Sequence, residues 1–195
     1  MGEHLWNKTH FPVQASVLDE GLHDFTVERI IALYDDSITL GFNVNGRSIA
    51  QRIYFDSDRC TTAKYLLASV GLLKDINTPW LTSELANTVG RSGRCIVGRY
   101  NINGRDENNI KAYIAPWADE QDQLWRYLVL KEANNICQSC GKPGYDAHHK
   151  KPKECYPEAR YDISNGMCLC RECHKKWHDT YGIMKIGGPG LDGNQ

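Results

Sequence analysis

The chain has 195 residues, of which 41% are hydrophobic and 24% charged, and a formal net charge of −1. That is enough for one ordinary domain, or a modest domain plus a small one, and too apolar for a wholly unfolded chain. No run approaches about 18 consecutive apolar residues, which excludes a membrane-spanning helix, and residues 1–10 lack the apolar core of a secretory signal, so a cytoplasmic location is expected.

Residues 1–24 show no clear period and read as a loop or short leading strand. Thr26–Tyr34, Ile38–Val44 and Ser48–Phe55 are rich in β-branched and aromatic residues. Asn45-Gly46 separates the last two, and that pair is a strong hairpin signal because both residues tolerate positive φ. Ser57 or Asp58 can cap a helix in which Ala63, Leu66, Leu67 and Val70 recur at helical spacing before Gly71. A second short helix is predicted from Thr82 to Asn87. Arg94–Tyr100 and Asn109–Ile114 then read as strands around a turn at Asn103-Gly104, and Pro116 ends the run. Three strands, a helix and two more strands predict a β-rich unit over 1–118, with a small OB-like barrel as the expected architecture.

Arg91, Arg94, Arg99 and Arg105 are interleaved with Tyr100, and Tyr113 and Trp117 follow. Such a pattern suits nucleic acid, through phosphate contacts and base stacking, so Arg91, Arg94 and Arg99 are candidate contacts and the unit a candidate substrate-recognition domain. The competing reading makes the aromatics core and the arginines a solvated face, and the slight acidity of residues 1–135 favours it.

Asp119–Asn134 reads as a helix with acids in its first turn and an apolar side of Leu124, Trp125, Tyr127 and Leu128. It is expected to link two domains across 119–135. Residues 136–186 form the second domain, and glycine-rich 187–195 a disordered tail. Residues 136–186 hold 9 of the 23 Lys and Arg but 6 of the 24 Asp and Glu, so this part is basic. It also holds four of the seven histidines and six of the eight cysteines. The overall fold class is α+β.

Cys137-x2-Cys140 and Cys170-x2-Cys173 are two knuckles that together complete a tetrahedral four-thiolate site for a structural Zn²⁺. Gly141 suits the turn after the first pair. A two-Cys, two-His finger from Cys137, Cys140, His174 and His178 would need a spacer far beyond the usual ~12 residues and would strand Cys170 and Cys173. Cys60, Cys95, Cys155 and Cys168 lack partners at ligand spacing and read as ordinary thiols. The stretch between the knuckles is longer than a plain ribbon's ~15–20 residues, so something is inserted there.

The insertion begins Asp146-Ala147-His148-His149-Lys150-Lys151-Pro152. Adjacent His148 and His149 point opposite ways on a strand, whereas His174 and His178 share one helix face. One histidine can hold a metal while its neighbour activates water. These residues, with Tyr156-Pro157-Glu158, Asn165-Gly166 and Leu169-Cys170-x2-Cys173-His174, resemble the HNH endonucleases, closest to the zinc-knuckled kind common in bacteria and phages. The resemblance covers about residues 136–181.

The resemblance implies a ββα-metal unit, a β-hairpin followed by a helix with one catalytic divalent ion (Mg²⁺, Mn²⁺, Ni²⁺ or Zn²⁺). It implies His149 as general base on the attacking water. His148, His174 and His178 take the positions that hold the ion, and Asn165 that of the asparagine that braces the loop or approaches the metal. Asp146 falls where many members carry an acid. Lys150-Lys151 departs from the family, where apolar residues are common. The implied function is a metal-dependent DNA endonuclease, in a bacterial cytosol or phage-infected cell, with no membrane partner. Lys150, Lys151 and Arg160 are candidate phosphate contacts. The alternative is a non-catalytic zinc-binding adaptor for nucleic acid or protein, which accounts for the cysteines but not for His148, His149, Asn165 and His174 together.

Overall fold

The computed structural model describes residues 17–55, 60–75 and 77–181. The leading residues 1–16, the expected caps Ser57 and Asp58 and the tail 187–195 lie outside the described residues. The chain divides into two compact units between Trp117 and Ala118. Among the described residues no helix is long and apolar enough to cross a membrane.

The first unit is an antiparallel sheet of β1 (Gly21–Leu33), β2 (Ser37–Val44), β3 (Arg47–Tyr54), β4 (Ser92–Ile102) and β5 (Arg105–Tyr113), in the order β3-β2-β1-β4-β5. The turns joining β2 to β3 and β4 to β5 are those predicted. Asn45 and Gly46 have φ of 47° and 84°, and Asn103 and Gly104 have φ of 52° and 80°. Such primed turns match the strand twist. β1 starts earlier than Thr26 because Gly21–Thr26 pairs with β4, a long-range contact that local pattern does not encode. Register shifts at Val27/Arg29 and Ile30/Ala32 bend β1, which lets it serve both halves of a curled sheet.

The two edge strands approach one another. Gln51 Nε2 of β3 donates to Ile110 O of β5 at 3.3 Å, Tyr113 OH donates to Gln51 Oε1 at 2.9 Å, and Arg47 pairs with Glu107 at 2.7 Å. This closure, with α1 (Cys60–Ser69) between β3 and β4, gives the partly open five-stranded barrel expected. Phe25, Phe42 and Tyr113 pack edge-on or tilted, with centroids 5.5–5.7 Å apart. Leu66, Leu67 and Ala63 of α1 are buried with them in one core. The segment Thr82–Thr88 is a 3-10 helix, one residue longer than predicted.

The second unit contains α2 (Glu120–Glu132), the hairpin β6 (Asp146–His149) with β7 (Gly166–Leu169), and α3 (Arg171–Tyr181). Asp119 caps α2, accepting from the N–H groups of Gln121 and Asp122 at 2.9 and 3.0 Å. The helix over 119–135 was expected as a linker. It packs instead within the second unit, because its apolar residues Trp125 and Val129 are buried there. A methyl at Gly166 would overlap Val129 Cγ2 and lie 3.0 Å from Ile163 O, so only glycine admits α2 this close to β7.

That contact yields a test. Gly166→Ala should destabilise the second unit by about 1–3 kcal/mol through overpacking. Amide hydrogen exchange should show faster opening of β6, β7 and α2, with β1–β5 unchanged.

Candidate metal centres and catalytic site

The knuckles put four thiols in one place. One sulfur from each of Cys137, Cys140, Cys170 and Cys173 lies within 4.8 Å of the others. Gly141 takes φ 75° and donates its N–H to Cys137 O at 2.8 Å, closing the first knuckle. Cys170 follows the last residue of β7 and Cys173 lies in the first turn of α3, so the second knuckle is a strand-to-helix junction. The donor set fits a tetrahedral zinc ion: Zn–S bonds of about 2.3 Å require S···S edges of about 3.8 Å. Cys140 Sγ and Cys170 Sγ are 3.8 Å apart.

The thiol electrostatics agree. Burial opposes ionisation of Cys137, but the backbone N–H groups of Cys170, Ser139 and Cys140 outweigh it and bring its thiol down to about 6. At Cys140 the Lys142 backbone N–H lowers the thiol's pKa. The Cys137, Cys173 and Cys170 side chains, together with desolvation, overcome that effect and push it up to about 12. Crowded sulfurs cannot all hold negative charge without a cation among them.

Adjacent side chains of β6 face opposite ways. His148 faces α3: its ring lies 5.1 Å from that of His174, 4.9 Å from His178 and 5.4 Å from Trp177, centroid to centroid. One nitrogen from each of the three histidines falls within a 4.8 Å group. His174 Nε2 and His178 Nε2 are 3.0 Å apart. Two ligands on one ion with metal–nitrogen bonds of about 2.0–2.1 Å stand about 3.0–3.4 Å apart, so the set fits a divalent ion. Burial pushes the His148 imidazole down to about 4, aided by His174, His178 and His149, so it is neutral at physiological pH with a lone pair to give. His174 Nδ1 lies 3.4 Å from Asp146 Oδ2. A carboxylate on one ring nitrogen orients the other toward a metal, which gives Asp146 a definite place.

His149 faces α2. Its ring stacks on the Trp125 indole, with centroids 3.7 Å apart and an interplanar angle of 6°. His149 Nε2 and Arg160 O are 2.8 Å apart. A carbonyl can only accept, so Nε2 carries the proton and a neutral ring keeps its lone pair on Nδ1. Among the described residues Nδ1 has no hydrogen-bond partner, and it is not one of the sealed polar atoms, which are Asn109 Oδ1 and His178 Nδ1.

Asn165 is buried and fully used. Its Nδ2 donates to Lys151 O and Ala159 O, both at 3.1 Å, and its Oδ1 accepts from Lys151 N at 2.8 Å. It ties the chain leaving His149 to the loop that carries Arg160.

The basic candidates sit differently from one another. Arg160 gives its guanidinium to Asp122 at 2.7 and 2.9 Å and to Asp119 at 2.9 Å. The Arg160 hydrogen bond, outweighing burial, holds the Asp122 carboxyl down to about 2, with help from Lys153. Arg160 is therefore a bracket between α2 and the loop, not a fork left open for phosphate. Lys150 Nζ reaches Ser164 O at 2.9 Å, and Lys151 Nζ lies 5.6 Å above the Tyr156 ring. In the first unit Arg91 Nε donates to Asn87 O at 3.1 Å, Arg94 pairs with Asp24 at 3.3 Å and Arg99 with Asp19 at 2.7 Å. These three arginines already have partners in their own unit. Cys168 is buried, its thiol raised by desolvation, and it stands outside the four-thiol group.

Sequence reasoning missed Trp125, Asp122 and the main-chain carbonyl of Arg160. Trp125 was visible only as part of an apolar helix face, and a carbonyl leaves no mark in side-chain pattern.

No curated protein matches this chain. A family model described as HNH endonuclease matches residues 137–180, the stretch that carries both knuckles, the β6–β7 hairpin and nearly all of α3. With the four-thiol group inside it, residues 137–180 are an HNH endonuclease domain.

Proposed function

We propose that the chain is a metal-dependent DNA endonuclease that hydrolyses phosphodiester bonds with His149 as general base. The observation that carries this is the division of labour across β6: three histidines converge on one side, while His149 is held on the other with Nδ1 unpartnered. Structural zinc in the four-thiolate site would hold the knuckles, and a divalent ion among His148, His174 and His178 would neutralise the phosphate and stabilise the departing oxygen.

The protein's own residues then do the following. His149 Nδ1 accepts a proton from water as the water oxygen bonds to phosphorus. The P–O3′ bond breaks, the departing O3′ takes a proton from solvent water, and His149 returns its proton to solvent, leaving a 3′-hydroxyl and a 5′-phosphate. The Arg160 carbonyl, which accepts from Nε2–H, stabilises the imidazolium that forms. Asn165 keeps the two loops on either side of the ring in register. Asp146 orients His174. The barrel unit would guide substrate choice, with Arg91, Arg94 and Arg99 near its surface and DNA as the partner. Lys150 and Lys151 would meet flanking phosphates.

Three outcomes test this reading on supercoiled plasmid with varied divalent ions. His149→Ala should lower cleavage by about 10²–10⁴-fold while leaving metal content and DNA binding intact. Cleavage by His149→Ala at the wild-type rate would mean that His149 is not the base, and no cleavage by the wild-type protein with any divalent ion would favour the adaptor reading. His174→Ala should also abolish cutting, but through lost ion affinity, and a high ion concentration should partly restore it. Asp146→Ala should weaken the same ion by about 10–100-fold, read by titration calorimetry.

The structural site has its own check. Elemental analysis of purified protein should find one tightly held zinc per chain. Cys140→Ser should lose it and unfold the region around β6, β7 and α3, because small metal units draw their folding energy from the ion. Folded, zinc-free protein would contradict this assignment.

A further inference from the structure

The α2 helix lies wholly outside the stretch matched by the family model, yet it touches the proposed base directly. We propose that α2 is a positioning element for His149: Trp125 holds the face of the imidazole, and Asp122, through Arg160, holds its edge. The proposal rests on the reading of His149 as base.

Two independent restraints act on one ring. The first is the parallel stack on Trp125, a residue only 5% exposed. That indole is itself fixed, since Trp125 Nε1–H donates to Asp162 O at 2.9 Å. The second is the 2.8 Å bond from Nε2–H to the Arg160 carbonyl. Arg160 is in turn gripped by α2 through its side chain. Asp122 takes both Nε and a terminal nitrogen of its guanidinium, Asp119 takes the terminal nitrogen as well, and Lys153 Nζ joins Asp122 at 3.0 Å. One residue is thus held by α2 through its side chain and holds the base through its main chain.

The two restraints do different things. A stack fixes the plane of the ring but not which edge faces which way, since a 180° turn about Cβ–Cγ leaves the plane unchanged and exchanges Nδ1 with Cδ2. The carbonyl forbids that flip and selects the tautomer whose lone pair is on Nδ1. Both are needed to present a lone pair to water in one direction, and small misplacements of a reacting group can cost about 10²-fold in rate. Neither Trp125 nor Asp122 touches the three-histidine group, so substrate and ion affinity should not depend on them.

The test combines steady-state cleavage with nitrogen NMR of histidine-labelled protein. Wild type should show His149 as a single Nε2-protonated tautomer. Trp125→Ala and Asp122→Asn should lower kcat by about 10–100-fold with KM, zinc content and ion affinity unchanged, and should give His149 mixed tautomers. Trp125→Phe, which keeps a stacking face but loses the N–H, should retain most of the activity. If Trp125→Ala loses its zinc or its fold, Asp122→Asn and Trp125→Phe decide the matter, because the acid lies at the edge of the contact and the phenyl ring fills most of the space. Folded Asp122→Asn protein with wild-type kcat and one tautomer would overturn the proposal. So would a Trp125→Phe protein as impaired as His149→Ala. His149→Ala run alongside separates the two ideas: if it cuts normally, the reading of the base is at fault, and if it is inactive while the α2 variants cut normally, only the positioning role is.

Discussion

The alternation of side chains along β6 is the constraint on which the second unit depends. His148 and His149 are neighbours, so an extended backbone must send them to opposite faces. One face meets α3 and its two histidines, and the other meets α2 and its tryptophan. A one-residue slip of register against β7 would exchange them, placing His149 among the metal-type ligands and His148 against the indole. The pairing of His148 with Met167 and of His149 with Gly166 is therefore what keeps the three-histidine group and the proposed base apart.

That register is held from both ends. The knuckles pin the chain before β6 to the end of β7, through Cys137 and Cys140 on one side and Cys170 and Cys173 on the other. Asn165 pins the opposite end, joining Lys151 to Ala159. The buried apolar cluster here is small, being Cys137, Met167, Leu169 and Cys170 with Cys173 and Trp177 beside it. A core of that size contributes little stability alone, which is the circumstance in which a structural ion and a packed helix matter most. The close approach of Val129 to Gly166 makes α2 part of this unit.

Much of this was legible from sequence, for identifiable reasons. Asn-Gly pairs announce positive φ, and both such turns formed where expected. Cysteine spacing announced the four-thiol group, and the spacing of His174 and His178 announced a shared helix face. What was not legible came from long-range or main-chain effects. The first half of β1 forms because β4 lies beside it. The helix after Asp119 carried a readable cap and apolar face, but nothing local said which unit would receive that face. Arg160 read as a candidate phosphate contact because charge pattern cannot tell such a contact from a bracket between elements, and two acids 38 and 41 residues upstream engage its side chain. Arg99 and Arg94 pair with Asp19 and Asp24 at the surface of the first unit, and local pattern did not mark those acids as their partners either.

The central claim is that ion and base occupy opposite sides of one strand. The most direct measurement is anomalous diffraction from crystals of the full chain grown with Mn²⁺. The account predicts one peak in the four-thiolate site at the zinc edge, and one manganese peak bonded to His148, His174 and His178, with His149 Nε2 still on the Arg160 carbonyl and no metal within bonding distance of Nδ1. A manganese ion bonded to His149, or a histidine trio that binds no ion at any concentration that supports cleavage, would contradict it.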